Sequence, residues 1–113
     1  MKIIKIEDVQ TLCPPNHYHL KVRRFADASI GSKTMVTALV RMAPNATVDP
    51  HAHEKTEHLF IVLKGELGIK TGQGEIRAKP GEAVFVYPGE VHGNFNASKG
   101  ETEYIAVTCP LPT

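Results

Sequence analysis

Excess charge of either sign is missing from this sequence: 13 Lys and Arg stand against 12 Asp and Glu, leaving a formal net charge of +1. A chain so balanced lacks the electrostatic footprint of a nucleic-acid-binding protein. Its one basic cluster, Lys21, Arg23 and Arg24, alternates with Val22 and ends at Phe25, as the solvent edge of a strand would. Long apolar runs are also missing, so nothing reads as a membrane span. Residues 1–7 offer only Ile3, Ile4 and Ile6 around Lys5, too short and too charged for the core of a signal peptide. Cysteine is scarce. Cys13 and Cys109 are each followed by proline and have no redox or zinc-motif spacing, so they read as free thiols. Without an export signal or a disulfide framework, the expected compartment is the cytoplasm.

Helical periodicity is absent too. No stretch of ten residues keeps apolar side chains at i, i+3, i+4 and i+7, whereas short β-branched and aromatic runs recur between turn signals. A chain of 113 residues with 42% hydrophobic and 22% charged composition suits one globular domain, which hides roughly 65% of its unfolded surface. The reading is therefore all-β. Turns are expected at Lys64-Gly65-Glu66, Thr71-Gly72-Gln73-Gly74, Lys79-Pro80-Gly81, Tyr87-Pro88-Gly89 and Ser98-Lys99-Gly100. Strands are expected over 17–25, 35–42, 59–63, 67–70, 75–78, 83–86, 93–96 and 103–108, with 3–6 as an edge-strand candidate and 26–32 and 43–50 as loops. Residues 59–63 are apolar at every position, so both faces of that strand need cover, which points to a homodimer.

Four of the six histidines fall in two clusters. His51 and His53, two apart, would share one face of a strand and could offer two imidazoles to one ion. His58 follows after room for a turn, and His92 comes just after Pro88-Gly89. First-row metals accept such nitrogens at about 2.0–2.1 Å in the zinc case, so the four must converge. Left without an ion, they would be several buried polar groups lacking partners. His17-Tyr18-His19 is a second pair of this spacing, but nothing around it completes a ligand set, and it reads as an ordinary strand pair. Asn94 and Asn96 share strand parity with His92 and can orient a ligand, the alternative being a turn cap at Asn96-Ala97-Ser98; Phe60 is a further candidate substrate contact.

The spacings His51-x-His53-x4-His58-x6-Gly65 and Gly81-x5-Tyr87-Pro88-Gly89-x2-His92-x3-Asn96 resemble the two signature motifs of the cupin family. The resemblance implies a single-domain jelly-roll β-barrel over 1–113, with motif 1 at about 45–65 and motif 2 at about 81–96, often dimeric. It also implies metal ligands at His51, His53, His58 and His92. Asn45 stands where the first motif opens with glycine and Tyr87 where the second has proline. His58 replaces the usual glutamate, as in compact prokaryotic cupins that bind manganese. Glu57 is the alternative ligand, although strand parity turns it to the opposite face. The ending 105–110 and the chain's length also resemble the small cupins of pectin and uronate breakdown.

A histidine-only shell leaves a divalent charge uncompensated, so the site should attract small anionic chelators such as 2-oxo acids, enols and catechols. One ion per chain is expected, manganese or iron first, with nickel, copper or zinc also compatible with imidazole. The expected function is that of a metal-dependent enzyme, either dioxygenase-like or an isomerase or lyase. A non-catalytic sensor or storage module for a small molecule is the alternative. Among acids and bases, Glu57, Glu90, Tyr87 and Tyr104 are all available and none stands out.

Overall fold

Strict alternation along the strands sets the architecture. On residues 57–62 the side chains of His58, Phe60 and Val62 are buried, whereas Leu59 and Ile61 are half-exposed and Glu57 is exposed. The computed structural model describes residues 1–110 and contains eight strands: β1 His17–Ala26, β2 Val36–Val48, β3 Glu57–Lys64, β4 Leu67–Thr71, β5 Gly74–Ala78, β6 Ala83–Val86, β7 His92–Asn96 and β8 Thr102–Cys109. They pair antiparallel in the order β5-β4-β7-β2-β8-β3-β6, with β1 added on β2, and curl into a nearly closed barrel. Three-residue 3-10 turns at Ile6–Asp8 and Ala28–Ile30 are the only helical segments among the described residues, and no helix there is long and apolar enough to cross a membrane.

Register arranges the inward side chains in rows. Met42 lies opposite Thr102, then Val40 and Val62 flank Tyr104, then Ala38 and Phe60 flank Ala106, and finally Val36 and His58 flank Thr108. The first row is fully buried together with Leu67 and Ile69. Moving along β8 from Thr102 to Thr108 therefore leads from a sealed apolar core to a polar end, and the histidines are gathered there. Gly65 closes the sealed end: its φ is +77°, and a Cβ would collide with Thr102 Oγ1 and the Glu101 carbonyl.

Two expectations need correction. Residues 43–50 are not a loop, because β2 continues to Val48. Asn45 allows this with a φ of +69°, a left-handed conformation that asparagine tolerates better than most residues, which also explains asparagine where the motif has glycine. Ala46 and Val48 then return inward to resume alternation. Residues 3–6 form no strand. Glu7 is instead tied to Arg23 and Arg41 on the outer side of β1 and β2, and a single bridge joins Leu12 to Val22.

Candidate functional site

Three different devices bring the four histidines together. His58 is carried on β3, in the last inward row. His92 opens β7, and His51 is bound to it by a reciprocal backbone pair, His51 N–H to the His92 carbonyl at 3.0 Å and the reverse at 2.9 Å. His53 lies in the connection before β3, where its carbonyl accepts from Gly89 N–H at 2.9 Å, so the turn after β6 holds it. The expectation that His51 and His53 share a strand face is therefore corrected: they converge through cross-links between the two motifs. Ring centroids are separated by 4.5 Å for His51–His92, 4.9 Å for His58–His92, 5.0 Å for His51–His53, 5.3 Å for His53–His58 and 6.5 Å for His53–His92. Among the described residues, no group of three or more His, Cys, Asp or Glu is already arranged to hold a metal ion.

Hydrogen bonds fix how these rings present themselves. His51 Nδ1 lies 2.9 Å from the Asp49 carbonyl and His92 Nδ1 lies 3.0 Å from the Glu90 carbonyl. A carbonyl only accepts, so each Nδ1 carries the proton and each Nε2 keeps its lone pair. His58 Nδ1 contacts Thr108 Oγ1 at 3.1 Å, and its Nε2 is buried with no partner among the described residues. Burial, followed by the neighbouring imidazoles of His92, His53 and His51, pushes the His58 pKa down to about 4. Burial likewise lowers His92, against an upward pull from the Glu90 carbonyl, and lowers His53, with His51 adding to the effect. These three rings are held neutral at physiological pH, the form in which imidazole donates a lone pair.

The rings open onto a cavity of about 480 Å³. Its walls are Val22, Val36, Ala38, Val40, Val48, Phe60 and Ala106, with polar points at Asn94, Tyr104 and Thr108 and with His17 and Arg24 on β1. Among the described residues, no carboxylate lines it. Phe60, expected as a substrate contact, is there and stacks on His58 with centroids 5.8 Å apart. Asn94 is there too, donating from Nδ2 to the Tyr104 hydroxyl at 3.2 Å while its Oδ1 is buried with no partner among the described residues. Burial pushes Tyr104 up to about 12, so it keeps its proton.

Asn96 is not a lining residue. Its Nδ2 donates to the carbonyls of Met42, Ala43 and Gly100, and its Oδ1 accepts from Ser98 and Thr102, which is the turn-capping role. Glu57 is exposed on the outer face, Glu90 accepts from the Tyr87 N–H, and Tyr87 packs on Phe85, so of the four candidate acids and bases only Tyr104 reaches the cavity. Arg24, expected on the solvent edge of its strand with Lys21 and Arg23, instead lies two residues from Val22 on the same face and lines the cavity. His17, expected to be half of an ordinary strand pair with His19, lines the cavity as well.

Residues 38–108, most of the barrel and both histidine clusters, match the cupin domain family. The oxalate-binding protein of Thermotoga maritima is 26% identical over 76 residues, which are 67% of this chain and 63% of that protein's length. A polyketide cyclase from Streptomyces resistomycificus superposes with a TM-score of 0.88 at 28% identity, over 99% of this chain and 81% of that one. A predicted oxalate decarboxylase from Thermotoga maritima gives a TM-score of 0.85 at 19% identity, over 97% and 100% of the two chains. With a barrel of this topology, both motifs at their spacing and a family match over more than half its length, the chain belongs to the cupin domain family.

Proposed function

We propose that the chain is a metal-dependent enzyme of redox-neutral type, an isomerase, lyase or cyclase, acting on a small anionic chelator. Its ion would be a divalent transition metal held by His51, His53, His58 and His92. The observation that carries this reading is His58 Nε2, a buried lone pair with no partner among the described residues, beside two rings whose Nδ1 protons are clamped so that each Nε2 keeps its lone pair. Spacing supports it. A ring ligated at about 2.0–2.1 Å has its centroid roughly 3.2 Å from the ion, so rings at right angles lie about 4.5 Å apart and opposite rings about 6.4 Å apart. Four of the five ring separations given above run from 4.5 to 5.3 Å and the fifth is 6.5 Å, near these two values. Manganese and iron are the first choices, with nickel, copper and zinc also suited to imidazole.

When bound, the ion supplies Lewis acidity and a template for a pair of substrate oxygens. The chain's own groups supply the rest. Arg24, with no carboxylate in the walls among the described residues, favours an anion. The apolar side chains and Phe60 exclude water from the reacting centre. Tyr104 accepts from Asn94 and so has its own O–H free to donate to a substrate oxygen on which charge develops. At about 480 Å³ the cavity falls within the roughly 300–1,000 Å³ typical of sites enclosing drug-sized ligands, more room than a two-carbon dicarboxylate needs. The likeness to a polyketide cyclase along nearly the whole chain supports a larger, enolisable carbonyl substrate.

The test incubates metal-loaded protein with β-diketones, 2-oxo acids and unsaturated uronates in D2O, following deuterium uptake next to the carbonyl by NMR and oxygen consumption by electrode. Metal-dependent exchange without oxygen uptake is expected. Stoichiometric oxygen consumption would contradict the redox-neutral reading and favour a dioxygenase. Binding without either would favour a non-catalytic module, the reading that the oxalate-binding relative supports. The proposal takes residues 1–113 as one domain, working in the cytoplasm as a homodimer. The dimer is supported by the apolar outer face of β3 and β6, where Leu63 and Phe85 are exposed beside half-buried Leu59 and Ile61.

A further inference from the structure

His17 lines the cavity yet stands outside the histidine group: among the described residues no ring contact joins it to the other four. Counting alternate residues back from Val22 and Leu20, both buried, would turn His17 outward. The β1–β2 register is broken between Tyr18 and Leu20, and His19 there has a φ of +60°. The break shifts the phase by one residue, so that Tyr18 is exposed, bonded to Asp49, and His17 faces inward opposite Val48. Asn16, on the other side of His17, has a φ of +62°. Two non-glycine residues in the left-handed region bracket one inward imidazole, and strain of this kind, like strand irregularity, is concentrated where a side chain must be re-aimed.

The ring is also clamped as the others are. His17 Nδ1 lies 2.8 Å from the Pro15 carbonyl, two residues back, which repeats His51 with Asp49 and His92 with Glu90. The carbonyl only accepts, so Nδ1 bears the proton and Nε2 is a hydrogen-bond acceptor. Pairing of His17 with Val48 and the bond from Asp49 N–H to the Asn16 carbonyl, 3.0 Å, stitch it to the strand end that leads to His51.

We propose that His17 is a specificity-determining residue that holds no metal and accepts, through Nε2, a hydrogen bond from a ligand hydroxyl, so that the cavity prefers chelators carrying a free hydroxyl beyond the chelating pair. This deepens the metal reading above and rests on it. The probes are catechol and pyrogallol, which chelate alike and differ by one hydroxyl, titrated anaerobically onto metal-loaded wild type, His17→Ala and His17→Gln. Wild type should bind pyrogallol more tightly than catechol by roughly three- to tenfold, the worth of one hydrogen bond. His17→Ala should erase that preference by weakening pyrogallol alone, with catechol affinity and metal content unchanged; His17→Gln, whose carbonyl still accepts, should keep part of it. Loss of metal from His17→Ala would make His17 a ligand and overturn the proposal. So would a preference unchanged in the variants, or none in wild type. A wild type that takes up no metal would instead overturn the reading on which the proposal rests.

Discussion

At the scale of single residues, His58 decides what the site can be. If it is a ligand, His58→Ala should lose metal affinity by at least the 10- to 100-fold typical of changes to groups that merely orient a ligand. His58→Glu should retain the ion, since carboxylate oxygen is an acceptable ligand, yet bind anionic substrates more weakly because one positive charge is cancelled. Glu57→Ala is the control and should leave metal content unchanged, as its exposed position implies. Elemental analysis of the three variants reads this out, and loss of metal from Glu57→Ala but not from His58→Ala would reverse the assignment. The same residue sets a pH dependence in the metal-free protein. Its pKa in the fold, about 4, lies below the ordinary 6.5, so between those values the unfolded chain binds the extra proton. The stability that neutral His58 contributes is therefore complete above about pH 6.5 and is lost as the pH falls toward about 4. His58→Gln should lose less melting temperature than wild type over that window; equal losses would contradict the burial argument.

At the scale of elements, the connection from β7 to β8 is held by one side chain. Asn96 donates to three carbonyls and accepts from Ser98 and Thr102, and Thr102 in turn bonds both the N–H and the carbonyl of Glu66. Asn96→Ala should lower unfolding free energy by about 1–3 kcal/mol in urea titrations, because several part-buried polar groups lose their partner at once. Metal content should stay the same; loss of metal with unchanged stability would return Asn96 to the site. The strands themselves were legible in the sequence, since β3, β6 and β8 are short runs rich in β-branched and aromatic residues between turn signals. The continuation of β2 was not, because Pro44 and Asn45 look like loop residues and only a left-handed asparagine carries the strand past them. The inward placement of His17 was not legible either, because parity counted along a strand fails where the register breaks.

At the scale of the whole molecule, the four-histidine constellation could be read from motif spacing, although the cross-links that assemble it could not. The apolar outer face of the sheet remains to be covered. Leu59, Ile61, Leu63 and Phe85 project on the side away from the cavity, next to Ile105 and Val107 of β8. Light scattering at micromolar concentration should report twice the monomer mass, and Leu63→Lys combined with Phe85→Lys should return it to one; a monomeric wild type would contradict the dimer. The central claim is that the four imidazoles hold one ion. Elemental analysis of the protein purified without a histidine tag tests it most directly. Close to one transition-metal ion per chain is expected; metal near zero, with no uptake of manganese, iron, nickel, copper or zinc on reconstitution, would overturn the assignment.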